Sequence, residues 1–257
     1  MRVEVKVVGR INVSKDSCVV LDHAHLRGEE YVGRKLMKFT AIGSHLERCR
    51  FDNARFDDAS FGSGREMSEY SECSFDGVHF LHGGGYARFV RCSFRDVDLR
   101  NWSCRAVEMV DCVFTGRMMQ CIFNGTVPVE QRPFVGRERN EFHGNDFSGM
   151  DLVDVAFRSG IDLTQQRLPT GPEYLYLPDA AAALAKARSV VVGWQEPEMR
   201  DSALLTLRGP IWEAENGQRQ LLLRADDYYL YGASTPEGRA DREAVDKLFS
   251  LLRSMSA

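Results

Sequence analysis

The chain has 257 residues and a formal charge of −4, with 44% apolar and 27% charged residues. This composition is typical of an ordinary folded protein and excludes the intrinsically disordered class. The weak net charge gives no electrostatic footprint for nucleic acid, so we expect no direct nucleic-acid binding.

The sequence predicts a cytoplasmic protein without a membrane partner. No stretch approaches the roughly 18 apolar residues that a membrane span needs. Charged residues interrupt the valines of the first eight residues, unlike a signal peptide. Seven cysteines cannot all pair within one chain, which favours reduced thiols.

Residues 1–20 predict a strand followed by an irregular stretch. Val3, Val5 and Val7 alternate with charged residues, which is the period of a strand with one covered face. We expect this segment to cap the structure that begins near residue 21 and to protect its edge from other chains.

A five-residue repeat runs through the middle of the chain. Its clearest block reads Ser44-His-Leu-Glu-Arg, Cys49-Arg-Phe-Asp-Asn, Ala54-Arg-Phe-Asp-Asp, Ala59-Ser-Phe-Gly-Ser. The first slot of each quintet is small, and the third is large and apolar. Further blocks occupy residues 68–82, 87–116 and 140–159, with a weaker frame back to residue 21. A period of five fits neither an amphipathic helix nor a half-buried hairpin.

Cysteine and phenylalanine follow the repeat. Twelve of the fifteen phenylalanines fill the third slot. Five of the seven cysteines fill the small first slot: Cys49, Cys73, Cys92, Cys112 and Cys121. In two quintets, Phe39 with Ala41 and Trp102 with Cys104 reverse the order of large and small residues. Each reversal keeps the pair volume nearly constant, as a close-packed interior requires.

A chain that turns a corner every five residues places one small and one large side chain inside at each turn. Four such faces close a square coil, and coils stacked at roughly 4.8 Å form a solenoid. This pattern resembles the pentapeptide-repeat family over roughly residues 21–160. The resemblance implies a mainly β fold, a right-handed quadrilateral β-helix, between the cap at 1–20 and a separate domain at 161–257.

The repeat is interrupted at several points. The next third-slot residue normally follows five residues later, but after Phe61, Phe80 and Phe114 it follows nine residues later. Glycines in these gaps predict loops that leave the coil at corners. The longest interruption, 124–139, either caps the side of the solenoid or contacts a partner. The second interpretation predicts these partner-binding residues: Val127, Glu130, Arg132, Phe134, Arg137 and Arg139.

Residues 161–257 predict a small, mostly α-helical domain. Asp179 is a plausible N-cap for a helix over Ala180–Val192. A second helix is expected over 196–207, stopped by Gly209-Pro210. Residues 218–231 are ambiguous between helix and strand, and Arg239–Met255 is the clearest amphipathic helix. The aromatic residues of this domain either form its core, which we prefer, or line a pocket: Trp194, Trp212, Tyr228, Tyr229 and Tyr231.

The sequence predicts no catalytic, cofactor or metal site. It contains no Gly-x-Gly-x-x-Gly, Walker loop or Gly-x-Ser-x-Gly motif. First-slot cysteines are expected to behave as compact buried hydrophobes. His23 and His25 form a His-x-His pair beside Asp22, but third and fourth ligands are missing from the pattern. His25, His45 and His79 occupy the second slot, which points outward in the family that the repeat resembles.

Three functional hypotheses remain open. We prefer a non-enzymatic scaffold whose rigid surface binds a macromolecular partner. The family resemblance implies an alternative, a DNA mimic that binds DNA gyrase or topoisomerase IV, protects it from quinolone-like poisons and dimerises through its C-terminus. Acidic residues exceed basic ones by only three in residues 21–160, whereas a DNA mimic needs a dense negative face. The third hypothesis is an enzyme with its site in residues 161–257.

Overall fold

The computed structural model describes residues 10–13, 18–229 and 236–256. The predicted strand around Val3, Val5 and Val7 lies outside the described residues, as does Tyr231. The chain divides into two compact units, residues 1–156 with 164–169 and residues 157–163 with 170–257. The predicted limits at residues 20 and 160 stay a prediction.

Within the described residues, the first unit consists of short strands and one short helix. Its strands are β1 (Arg10–Val13), β2 (Cys18–Asp22), β3 (His25–Arg27), β4 (Lys35–Ile42), β5 (His45–Glu47), β6 (Arg55–Ser63), β7 (Ser68–Ser71), β8 (His79–Phe80), β9 (Gly83–Gly84), β10 (Tyr86–Val90), β11 (Ser93–Arg100), β12 (Ser103–Cys104), β13 (Ala106–Val110), β14 (Val113–Met119), β15 (Ile122–Asn124), β16 (Phe142–His143), β17 (Asp146–Val153) and β18 (Ala156–Arg158). The helix is α1 (Arg132–Val135).

Strands about one coil apart in the sequence pair in parallel. One sheet has the order β2-β4-β6-β8-β11-β14-β17, and a second has the order β3-β5-β7-β10-β13-β16. Leu26 is in register with Leu46, and Leu36 with Phe56. Because each chain segment pairs with the equivalent segment of the next coil, the unit is a parallel β-solenoid, and the predicted fold class is confirmed. β1 differs, since it pairs antiparallel with β2.

The interior contains a continuous stack of six aromatic rings, here called the aromatic ladder. Its members are Tyr31, Phe51, Phe75, Phe94, Phe114 and Phe147. Neighbouring ring centroids lie 4.6–4.9 Å apart, and the rings are within 11° of parallel. This distance equals the spacing of paired strands, so the ladder and the backbone hydrogen bonds share one repeat.

First-slot side chains bond the coils together. The Cys92 thiol donates to the Tyr70 carbonyl oxygen at 3.2 Å, and Cys73 and Cys112 make equivalent contacts with the preceding coil. In the next coil Asn145 takes the same slot, and its Nδ2 donates to the Met109 oxygen at 2.8 Å. Small hydrogen-bonding side chains therefore fill this column.

Most corners place a fifth-slot residue in the left-handed region. The non-glycine examples within the repeat include Arg48, Asn53, Glu72, Asp96, Asn101, Asp111 and Asp154, with φ between 51° and 57°. Glycine takes the same slot at Gly28, Gly77 and Gly144. Asn, Asp and Gly tolerate this conformation best, which makes the fifth slot a turn signal.

The predicted loops at the frame slips are only partly correct. Gly83 and Gly84 do not leave the coil, because they form β9 and pair with Ala59 and Ser60 of β6. At Gly116, β14 has one residue fewer than its partner β11 between two paired positions. Met118 lies in the interior with none of its surface exposed. At Gly83 and at Gly116, the break in the five-residue repeat is therefore accommodated within the coil and not by a loop that leaves it.

The second unit combines helices with a two-stranded sheet. Its elements are β19 (Tyr174–Leu177), α2 (Ala180–Val192), α3 (Pro197–Glu215), β20 (Leu221–Arg224) and α4 (Pro236–Ser256), with 3-10 turns at Leu163–Gln165 and Ala225–Tyr228. β19 and β20 pair antiparallel. None of the described helices is long and apolar enough to span a bilayer.

Three predictions in this unit are confirmed and two are wrong. α4 contains the predicted helix over Arg239–Met255. α2 has the predicted bounds, and the Asp179 carboxylate accepts from the Ala182 N–H as an N-cap. α3, however, continues through Gly209-Pro210 to Glu215. Ile211 and Ala214 pack against the core of the unit, and this burial outweighs the weak local stop signal. Trp212 is 53% exposed and is not a core residue.

Candidate partner-binding surface

The segment 124–139 leaves the solenoid and returns through a narrow base. Thr126 and Arg139 form an antiparallel bridge, and the Val127 N–H donates to the Glu138 oxygen at 2.8 Å. α1 lies within this segment and ends at Gly136, whose φ of 70° closes the helix. We call residues 124–139 the projecting loop.

Arg137 fastens the projecting loop to the solenoid. Its Nε lies 2.9 Å from Glu108 Oε1, and its Nη2 donates to the Ala106 oxygen at 3.1 Å and to Asn140 Oδ1 at 2.9 Å. The guanidinium also covers the Tyr86 ring at 5.0 Å. The Tyr86 hydroxyl donates to the Val135 oxygen at 3.0 Å, which holds α1 from the other side.

Glu108 is the buried charge on which this attachment depends. It is 4% exposed, and its second oxygen lies 2.7 Å from Arg88 Nη1. Arg88 also bonds Glu141 at 2.6 Å. Although partial burial opposes it, the hydrogen bonds to Glu108 and Glu141 raise the pKa of Arg88 above its usual value. A carboxylate held between two guanidiniums fixes the loop in one position.

The predicted site residues separate into two groups. Val127 is 1% exposed, and Arg137 points into the network just described, so both hold the loop. Arg132 Nε donates to the Val127 oxygen at 3.0 Å and also supports the loop from within. The remaining predicted residues, Glu130, Phe134 and Arg139, are exposed. Sequence reasoning missed Val129, which is 70% exposed beside them.

A groove of about 580 Å³ lies on the solenoid beside the projecting loop. It is lined by Gly62, Gly64, Arg65, Gly84, Gly85, Tyr86, Ser103, Arg105, Ala106, Gln131, Phe134 and Val135. The Arg65 guanidinium lies 5.6 Å from the centre of the Phe134 ring. Sequence reasoning missed Arg65, Gly84 and Arg105, because only the pairing register shows that three separate coils meet the loop here.

The histidines lie outside this surface. His25 and His45 are exposed and stack on each other at 4.9 Å, as expected for the second slot. His23 lies 2.6 Å from Asp22 and 3.3 Å from Glu66, and the Asp22 hydrogen bond raises its pKa. Within the described residues, no group of three or more His, Cys, Asp or Glu side chains is arranged to hold a metal.

The thiols of the repeat are buried among apolar side chains. Burial raises the pKa of Cys92 and Cys104, and it raises the pKa of Cys121 to about 11. A nucleophilic thiol needs a lowered pKa and some exposure. These three thiols therefore serve packing.

Charges of both signs occur together on the outer surface of the solenoid. One column in register contains Lys35, Arg55, His79, Asp98, Arg117 and Asp151. Elsewhere Glu72 bridges Arg48 at 2.8 Å and Arg91 at 3.1 Å across successive coils. Cross-coil ion pairs of this kind neutralise the surface locally.

No protein-family model matches the chain, and no curated protein matches it. Solved structures of QnrB1, a plasmid-mediated fluoroquinolone resistance protein, show a limited likeness. The full-length form is 16% identical, with 59% of this chain and 80% of that chain covered and a TM-score of 0.19. A trypsin-treated form is 14% identical, with 59% and 78% covered and the same TM-score.

The contacts within the chain show how the repeat builds the solenoid. A five-residue repeat places its third-slot residues inside, and equivalent quintets pair in parallel from coil to coil. The aromatic ladder repeats at the same interval. The repeat and the parallel solenoid that it builds resemble those of the pentapeptide-repeat proteins, as the sequence predicts.

Proposed function

We propose that this chain is a non-enzymatic scaffold that binds a protein partner through the projecting loop and the adjoining solenoid surface. The observation that supports this most is the attachment of the loop by Arg137 to the buried Glu108. This attachment and the Tyr86 bond to Val135 hold the loop in one position on the solenoid, so its exposed side chains are presented in a fixed arrangement.

The exposed side chains of the loop have the composition of a binding site. Phe134 is 57% exposed, Val129 is 70% exposed, and Arg139 at the base of the loop is also exposed. Aromatic and arginine side chains contribute most of the energy at protein interfaces. Because the loop is already ordered, a partner would bind it with little loss of conformational entropy.

The surface charge weighs against the alternative of DNA mimicry. A protein that occupies a phosphate-binding site needs a continuous negative face. Here the column from Lys35 to Asp151 contains both signs, and Glu72 is neutralised by two arginines. The scaffold hypothesis is therefore preferred to the topoisomerase hypothesis.

Affinity capture with the full chain tests the scaffold proposal. The wild type is compared with the double variant Val129→Ser and Phe134→Ser. Its matched control is Met37→Ser, which alters a 58% exposed apolar residue in β4, outside the projecting loop. We expect a protein that is retained by the wild type and by Met37→Ser but lost with the loop variant. Equal retention by all three would contradict the proposal.

A DNA supercoiling assay with purified gyrase tests the alternative. We expect the chain at micromolar concentration neither to inhibit supercoiling nor to relieve a quinolone. Inhibition or protection that is lost with the loop variant would establish the topoisomerase hypothesis instead.

A further inference from the structure

The geometry points to a specific ligand for the groove beside the projecting loop: an extended, acidic segment of a partner protein that carries an apolar residue. This inference rests on the proposed scaffold function and names the chemistry of the partner.

The first argument is uncompensated positive charge. Arg65 and Arg105 both line the groove and are exposed. Within the described part of the chain, neither guanidinium has a carboxylate within 4.0 Å. Arg88 and Arg137, in contrast, are both paired with Glu108 nearby. Two unneutralised arginines on one groove are complementary to carboxylates, which arginine binds in bidentate geometry.

The second argument is a glycine that the packing of the solenoid does not require. Gly62, Gly83 and Gly85 each lack room for a Cβ, because a backbone or ring atom would lie within 3.0 Å of it. Gly84 differs: the nearest atom to a Cβ there is the Ser103 oxygen at 3.6 Å, which is an ordinary contact. A residue without a side chain in a strand allows another main chain to approach closely.

The third argument is the apolar wall. Phe134 forms one side of the groove, with its ring beneath the Arg65 guanidinium. An apolar side chain of the ligand can pack on this ring while flanking carboxylates reach Arg65 and Arg105.

Fluorescence anisotropy with two labelled pentapeptides tests the inference on the full chain. The first peptide is Glu-Leu-Glu-Phe-Glu, and the second has glutamine in place of every glutamate. We expect the acidic peptide to bind at least about tenfold more tightly, since charged bonds to arginine are lost in the second. Added salt is expected to weaken the binding of the acidic peptide.

Three variants locate the binding. Arg65→Gln with Arg105→Gln is expected to reduce the affinity about tenfold or more. Gly84→Val is expected to reduce it similarly by filling the groove, with an unchanged thermal unfolding midpoint. The control Arg55→Gln removes an exposed arginine from β6, outside the groove, and is expected to leave the affinity unchanged.

Several results would overturn the inference. These are equal affinity for both peptides, no loss in the double arginine variant, or an equal loss in Arg55→Gln. Displacement of the peptide by citrate at equal concentration would show that a small carboxylate suffices. If partner capture still depends on Val129 and Phe134 after such a result, the scaffold proposal stands and only the groove assignment fails.

Discussion

At the scale of single residues, Gly83 and Trp102 show how the interior stays filled when the repeat is broken. Trp102 sits in a small slot, is fully buried and packs against Phe80 with ring centroids 5.2 Å apart. A Cβ on Gly83 would lie 2.8 Å from Phe80 and 2.9 Å from Trp102. The glycine therefore provides the volume that the indole needs.

We predict that Gly83→Ala lowers the free energy of unfolding by about 1–3 kcal/mol through overpacking. Chemical denaturation measures this change. The matched control is Gly84→Ala in the same strand, where a Cβ has room and little change is expected. In the background of Trp102→Phe, the effect of Gly83→Ala is expected to shrink. An equal cost in both backgrounds would contradict the volume argument.

The thiol of Cys121 gives a prediction about pH. Burial raises its pKa in the folded protein from 9.0 to about 11. The folded state therefore holds the proton more tightly, and this contribution is complete below pH 9 and lost as the pH rises through 11. Between pH 8 and pH 10.5 the wild type is expected to lose about 2 kcal/mol more than Cys121→Ala. Parallel pH dependence of the two proteins in denaturant titrations would refute this.

At the scale of elements, the projecting loop depends on one buried carboxylate. Glu108→Gln removes the charge between Arg88 and Arg137, and breaking a buried ion pair on one side costs about 3 kcal/mol. We expect the variant to be less stable and its loop to be cleaved faster by trypsin after Arg137 and Arg139. The control Glu130→Gln changes an exposed glutamate of the same loop. Identical cleavage rates for both variants would exclude Glu108 as the anchor.

Much of the solenoid could be predicted, because its interior repeats at a fixed interval. Third-slot phenylalanines and first-slot cysteines marked the buried positions correctly. The fifth slot was overlooked, although residues such as Asn53 and Asp111 carry a signal for the left-handed conformation. Local signals also identified Asp179 as the N-cap of α2.

The rest depended on contacts between residues distant in sequence. Pro210 suggested the end of a helix, but the burial of Ile211 and Ala214 carries α3 onward. The sequence predicts Arg137 as a partner-binding residue. In the structure it pairs instead with Glu108, which lies 29 positions earlier in the chain. The groove could not be predicted for the same reason, because Arg65 and Arg105 line one groove only when the coils are stacked.

At the scale of the whole molecule, a solenoid is a series of coils that each contact only their neighbours. The aromatic ladder shows this directly. Phe94 stacks on two rings, at 4.7 and 4.9 Å, whereas Tyr31 stacks on Phe51 at 4.9 Å from the first position of the ladder.

The loss of folding stability caused by a substitution should therefore depend on the position of the residue in the aromatic ladder. Phe94→Leu loses two stacked pairs and Tyr31→Leu loses one, and each pair contributes about 0.5–1.5 kcal/mol beyond area burial. We predict that Phe94→Leu is the more destabilising by about 1 kcal/mol or more, measured by denaturant unfolding. An equal cost at both positions would show that coils are stabilised by more than their immediate neighbours.

The aromatic ladder also separates the length of chain in a coil from the height of that coil. Successive rungs from Tyr31 to Phe147 are 20, 24, 19, 20 and 33 residues apart in sequence, yet the rings remain 4.6–4.9 Å apart. The rise per coil is therefore independent of the number of residues in that coil. Foreign segments grafted in place of residues 128–136 should thus be displayed without disturbing the turns above and below. Such a chain can acquire new recognition elements by insertion alone.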